Sequence, residues 1–220
     1  MFEDIHVEYV DHMGDDLRVV DSARVSFNKQ SETLKNGMLK SADCNLINYL
    51  AEHNHFTPFT HGVITLRETV PIFVARQRFK SVVGFSYNEV SRRYVDEDPT
   101  FYRPDGWRLK AKNVKQGSSD KVYNADRTLE ALYEARINSC FDLYRTMLNE
   151  GICAEQARMV LPQSMMTSYI VTGSLAAYAR MCKLRLDSHA QKEIQYLAQQ
   201  VSDIIEPLYP VAWAKLMEQP

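Results

Sequence analysis

Two β-branched runs, HGVITLRETVPI at 61–72 and SMMTSYIVT at 164–172, lie far apart in the chain and read as strands. Strand and helix signals between them do not alternate at regular intervals, which argues against a doubly wound parallel sheet. The natural class is α+β: a single compact domain over residues 1–220, with a mixed or antiparallel sheet packed by helices. IHVEYV at 5–10 alternates like a first or edge strand.

Helical signals fill much of the rest. Leu17, Val20 and Ala23 recur at helical spacing, and SADCNLINYLAEH (41–53) is amphipathic with Ser41 as its expected N-cap. FVARQRFKSV (73–82) follows the first β-branched run and looks helical. Residues 84–96 mix Gly, Ser and Asn with aromatics and read as a loop that carries function. The stretch 97–120, with its Pro, Gly and charges, is the expected surface excursion. A long helix is expected over 120–149, with Leu129, Leu132, Tyr133, Ile137, Phe141, Tyr144 and Leu148 on one stripe. Such a stripe is usually core and is compatible with an interface. Further helices are expected near 154–160, 174–184 and 188–205, the last with Ser188 as N-cap.

Composition narrows the function classes. The 220 residues are 45% hydrophobic, 25% charged and carry a net charge of -2, which argues against a general nucleic-acid binder. No apolar run approaches the roughly 20 residues that span a bilayer. The acidic start MFEDIHVEYV lacks the layout of a signal peptide, so a cytoplasmic protein is expected. Cys44, Cys140, Cys153 and Cys182 are scattered and read as reduced thiols.

Against that acidic background, Arg76, Arg78, Lys80, Arg92 and Arg93 cluster with the single acid Glu89. Ser86, Asn88 and Ser91 lie among them, small polar groups able to line a pocket. Guanidinium forks and loop amides suit a phosphate, and a small phosphorylated molecule suits this chain better than a polymer. Taken alone, the cluster reads equally as a solvated basic face. Arg158 and Arg185 stand among apolar residues, and a half-buried guanidinium needs an anionic partner, from Asp187 or from a ligand. His53, His55 and His61 raise a metal-dependent hydrolase as one alternative, but no acid-rich partner motif stands nearby and no metal is expected.

The segment VPIFVARQRFKSVVGFSYNEVSRRY (70–94) resembles the flavin-dependent thymidylate synthases. Ala75-Arg76-Gln77 matches the start of the family string, and Ser86, Asn88, Glu89, Ser91, Arg93 and Tyr94 match its end. SARVSF (22–27), HFTPFTH (55–61), EQARMVLP (155–162), VTGS (171–174) and LRLDSHAQKEI (184–194) follow in family order. The family's Arg-His-Arg triplet is absent. Aligned from Gln77, it falls on Lys80-Ser81-Val82, with one residue inserted before Ser86.

The resemblance implies reductive methylation of dUMP to dTMP, with FAD as cofactor and NADPH and 5,10-methylenetetrahydrofolate as co-substrates. It implies that Gln77, Arg78, Phe79, Lys80, Glu89, Val90, Ser91, Arg92, Arg93 and Arg158 border dUMP, and that Arg185 contacts and activates the uracil. Thr57, Lys80, Ser81, Val82, Glu89, Ser174, Ala176, Arg180, His55 and His189 are the implied FAD contacts. Ser91 lacks an adjacent base and is expected to bind rather than attack. A homotetramer with active sites shared between subunits is implied as well. The altered triplet leaves a second alternative, a non-catalytic relative that binds a pyrimidine nucleotide.

Overall fold

The computed structural model describes residues 1–94, 97–112, 117–123 and 128–219. Its elements are β1 (His6–Met13), α1 (Asp16–Arg24), α2 (Ser41–Glu52), β2 (Val63–Pro71), α3 (Ile72–Arg78), β3 (Phe85–Glu89), β4 (Arg108–Lys110) and β5 (Ser118–Val122). Then come α4 (Thr128–Asn149), α5 (Ala154–Ala157), β6 (Met166–Ser174), α6 (Leu175–Leu186), α7 (Lys192–Ile205) and α8 (Pro210–Glu218). The main sheet has the order β1-β2-β6-β3, and every neighbouring pair is antiparallel. The α+β expectation holds, and the two β-branched runs are the central strands, paired from Val63 opposite Ser174 to Pro71 opposite Met166.

Central position explains their composition. Ile64, Leu66, Val70, Tyr169 and Val171 are buried against Leu175, Tyr178 and Met181 of α6, Ile194, Leu197 and Val201 of α7, and Trp213 of α8. Each such aliphatic side chain contributes roughly 1.5–3 kcal/mol by leaving water. Asp16 ties the N-terminal part to the C-terminal helix. Its buried carboxylate accepts from the Val211 and Ala212 N–H groups at 2.8 and 2.9 Å, filling donors that the first turn of α8 leaves free. Gly173 lets β3 approach β6, because a Cβ there would lie 2.3 Å from the Phe85 ring.

Several local expectations are corrected. Residues 84–96 are not a loop throughout: Phe85–Glu89 is the edge strand β3, with Phe85 and Tyr87 directed at the core. Lys40, not Ser41, is the N-cap of α2. The 188–205 helix begins at Lys192 with Gln191 at its cap, because Asp187 accepts the His189 N–H at 2.7 Å and holds the chain in a turn across Ser188. Within 97–120, β4 pairs with β5 as a separate ribbon, and β5 occupies ground assigned to the start of the long helix. Residues 113–116 and 124–127 of those two stretches, and 95–96 of the expected loop, lie outside the described residues. The stripe of α4 divides: Ile137, Phe141 and Tyr144 pack with Phe101, Ala157 and Met165, while Leu129, Leu132 and Leu148 are exposed. α8 had no sequence signal assigned to it.

Among the described residues, no helix is long and apolar enough to cross a membrane.

Candidate active site

The turn after α3 is the centre of the site. Pro71 is the N-cap of α3, and the helix ends at Arg78 because the chain must reverse into β3. Gly84 makes that reversal with φ +81°, and a Cβ there would crowd the Ala177 Cβ at 2.9 Å. Lys80 and Val82 of the turn are exposed.

Arg78 corrects the sequence reading. It was expected against the nucleotide, yet its side chain is fully buried beside the equally buried Glu68 of β2. Arg78 Nε and Nη2 donate to Glu68 Oε1 and Oε2 at 3.0–3.2 Å. Its Nη1 donates to the Tyr87 hydroxyl, and its guanidinium carbon lies 4.4 Å from the Phe85 ring centroid. Burial alone would lower the Arg78 pKa, but the Glu68 carboxylate more than reverses this and raises it. Phe79 also turns inward, edge-on to Tyr87 and Tyr169. The guanidinium and the Phe79 ring are therefore committed to the core of this protomer.

One cleft, of about 1040 Å³, gathers Gln77 from α3, Arg180, Lys183 and Arg185 from α6, and His189 beyond it. Arg108 and Ser118, from the β4–β5 ribbon, form a wall that the sequence reading missed. Arg185 is half-buried, as expected from its apolar neighbours. Its Nη2 donates to the Gln77 carbonyl at 2.9 Å, and its buried Nε has no partner among the described residues. Burial, then the nearby Arg78 charge, lowers its pKa. Among the described residues Arg185 makes no ion pair, because Asp187 is taken by His189 at 3.0 Å. A guanidinium held this way is short of one acceptor. Arg180 Nη2 donates to the Val83 carbonyl at 2.6 Å. Ser174 caps α6 by accepting from Ala177 N–H, and Ala176 packs on the core. The turn Thr57–Thr60 lies against α6, with Leu175 N–H donating to the Gly62 carbonyl at 2.9 Å. Thr57 and Ser174 thus belong to neighbouring segments.

A second cleft, of about 580 Å³, is lined by Glu89, Val90, Ser91, Arg92 and Arg158, with Thr167 and Ser168 of β6. Thr167 donates to Glu89 Oε1 at 2.7 Å, and Arg92 donates to the Glu97 carbonyl. The Ser91 hydroxyl accepts from Arg93 N–H at 3.3 Å. Arg93 is turned to Glu155 at 2.6 Å. Arg158 was expected to be half-buried and is instead exposed, with no ion pair among the described residues. The two clefts share no lining residue, so the expected site is divided between them in this chain.

The histidines at 53–61 serve local packing. His53 stacks on Tyr49 at 4.1 Å and its Nδ1 meets the Tyr49 carbonyl at 2.9 Å, with His55 edge-on to both rings. Among the described residues no three His, Cys, Asp or Glu side chains converge as a metal site would require.

Residues 8–211 match the family model described as thymidylate synthase complementing protein. The chain is 40% identical over 205 residues to a flavin-dependent thymidylate synthase of Thermosipho africanus, covering 91% of this chain and 86% of the relative. It is 36% identical over 212 residues to the flavin-dependent thymidylate synthase of Thermus thermophilus, covering 96% and 75%. Among solved structures it resembles the UMP/dUMP methylase PolB of Streptomyces cacaoi bound with 5-Br dUMP, with a TM-score of 0.83 and 30% identity over 97% of this chain and 95% of that one. Sequence, fold and the arginine-lined clefts agree, and the chain belongs to the flavin-dependent thymidylate synthase family.

Proposed function

We propose that this chain is a thymidylate-forming methyltransferase. It converts dUMP to dTMP, taking its carbon from 5,10-methylenetetrahydrofolate and its reducing power from FAD reduced by NADPH. One observation carries the reading most directly: Arg185 lines a cationic cleft with a buried Nε that has no acceptor among the described residues.

The lining fits an anionic flavin nucleotide. Arg180, Lys183, Arg185 and His189 face it, with Asp187 engaged by His189 and Arg108 paired to Glu193 at 2.6 Å. Of the residues that would hold it, Arg180 and His189 line this cleft, Thr57, Lys80, Ser81, Val82, Ser174, Ala176 and His55 stand outside its lining, and Glu89 lines the second cleft. When bound, the flavin supplies the electrons that no side chain possesses.

The protein's own part is electrostatic. C5 of uracil is a poor nucleophile, and negative charge on the ring makes it a better one. Arg185 donates to a uracil oxygen and favours loss of the N3 proton, and its partial burial strengthens that interaction. Gln77 orients the ring beside it. Glu89, Val90, Ser91, Arg92, Arg93 and Arg158 form the nucleotide cradle, with Ser91, Arg93 and Arg158 around the phosphate. Arg78 and Phe79 support this cradle from the core, and Lys80 supplies the cation at its edge.

Division of these groups between two clefts favours completion of each site by a second copy, within a homotetramer. We place the reaction in the cytoplasm, and one domain, 1–220, carries it.

An absorption spectrum of the purified protein tests the reading. Flavin bands that shift on anaerobic addition of dUMP are expected. A colourless protein that binds dUMP favours the non-catalytic relative instead.

A further inference from the structure

Three backbone carbonyls, one in the last turn of α3 and two in the turn between α3 and β3, accept from side chains of other segments. Arg185 donates to Gln77, Tyr87 to Ser81 at 2.7 Å, and Arg180 to Val83. The turn is shaped by these donors as well as by its own short-range bonds. They are not equivalent. Arg180 and Arg185 line the cleft, where a ligand competes for their guanidiniums. Tyr87 is reached from the core side. Its hydroxyl accepts from Arg78 Nη1, Arg78 is gripped by Glu68, and Glu68 Oε2 also accepts from the Tyr169 hydroxyl at 2.6 Å. Every link except the last oxygen lies on β2, α3, β3 or β6. Burial pushes the Tyr87 phenol up to about 12, so it keeps its proton and donates.

We propose that Tyr87, oriented by the buried Glu68–Arg78 pair, is a positioning residue: it fixes the Ser81 carbonyl and so presents Lys80-Ser81-Val82 to the flavin. The relay lies directly behind the segment that stands in place of the family triplet. A buried ion pair is an expensive way to fill space, and apolar residues of the same volume commonly do as well. Placed here, the pair orients Tyr87, because Arg78 donates to the phenol oxygen and leaves its proton for the Ser81 carbonyl at 2.7 Å, nearer than the Arg78 carbonyl at 3.4 Å. The inference rests on the FAD role assigned to this turn.

Tyr87→Phe removes the donor and keeps the ring. Two readouts are made on the folded full-length protein. First, FAD is titrated. Its dissociation constant is expected to rise tenfold or more, with the KM for dUMP within about threefold of wild type. Second, trypsin cleavage after the exposed Lys80 is followed without ligand. It is expected to speed up at least tenfold relative to cleavage at the exposed Lys35, far from the relay, whereas general loosening would accelerate both sites together. An unchanged FAD affinity together with unchanged selectivity at Lys80 overturns the proposal. If the wild-type protein binds no FAD, the flavin role of the turn fails, and selective cleavage at Lys80 still decides whether Tyr87 positions it. Should Tyr87→Phe not fold, Tyr169→Phe, which removes the other phenol on Glu68 and leaves the ion pair intact, loosens the same relay and is scored by the same two readouts.

Discussion

Arg185 donates to the backbone carbonyl of Gln77 at 2.9 Å and leaves its buried Nε without an acceptor among the described residues. Arg185→Ala is therefore expected to lower the rate of dTMP formation by about 10²–10³, the usual loss when one preorganised donor to a developing negative charge is removed. The fold should survive, since the side chain makes no ion pair among the described residues. Steady-state turnover and thermal melting check both halves. Wild-type turnover in this variant removes the assigned role.

Arg78 and Glu68 are fully buried and paired. Arg78→Met alone strands the Glu68 carboxylate and is expected to cost about 3–5 kcal/mol. Combining it with Glu68→Leu should recover part of that loss, because an apolar pair of similar volume carries no desolvation penalty, while the buried Tyr169 hydroxyl loses its Glu68 acceptor. Urea unfolding of the two variants measures the difference.

Alkaline pH should weaken the fold. Burial raises the phenol of Tyr87 to about 12, and that of Tyr209 to about 12, above the ordinary value of 10.0. In this window the folded state keeps protons that the unfolded chain releases, so stability is full below pH 10 and falls between pH 10 and 12. Tyr209→Phe should flatten that fall, as measured by urea unfolding across the pH series.

Gln77 and Arg185 line one cleft, and Ser91 and Arg158 line the other. If each active site takes one set from each of two subunits, Arg185→Ala and Arg158→Ala should complement. Each variant alone is inactive, and random mixing during coexpression should restore about a quarter of wild-type sites. Failure to recover any activity would show that a single chain builds the whole site.

His53, His55 and His61 form no metal cluster with other described residues. Chelation followed by buffer exchange should leave turnover unchanged, and lost activity that zinc restores would revive the hydrolase alternative.

What was legible in the sequence was local. The β-branched runs gave β2 and β6, and the apolar positions of 188–205 gave most of α7, because each pattern is set by the face that each element buries. β3 escaped notice because Gly84, Ser86 and Asn88 dilute the alternation of Phe85 with Tyr87. Arg78 was misplaced for a deeper reason. A charged residue in a basic run reads as surface, and the partner that permits its burial, Glu68, sits inside a run that reads as apolar strand. Arg108 and Ser118 reach the cleft only through pairing within the β4–β5 ribbon, a tertiary fact that no spacing conveys.

The most direct measurement is dTMP formation by the purified protein, quantified with FAD, NADPH, 5,10-methylenetetrahydrofolate and dUMP together and then with each omitted in turn. Product that requires all four is the expected result. Absence of dTMP from the complete mixture, with the protein folded and dUMP bound, would contradict the assignment.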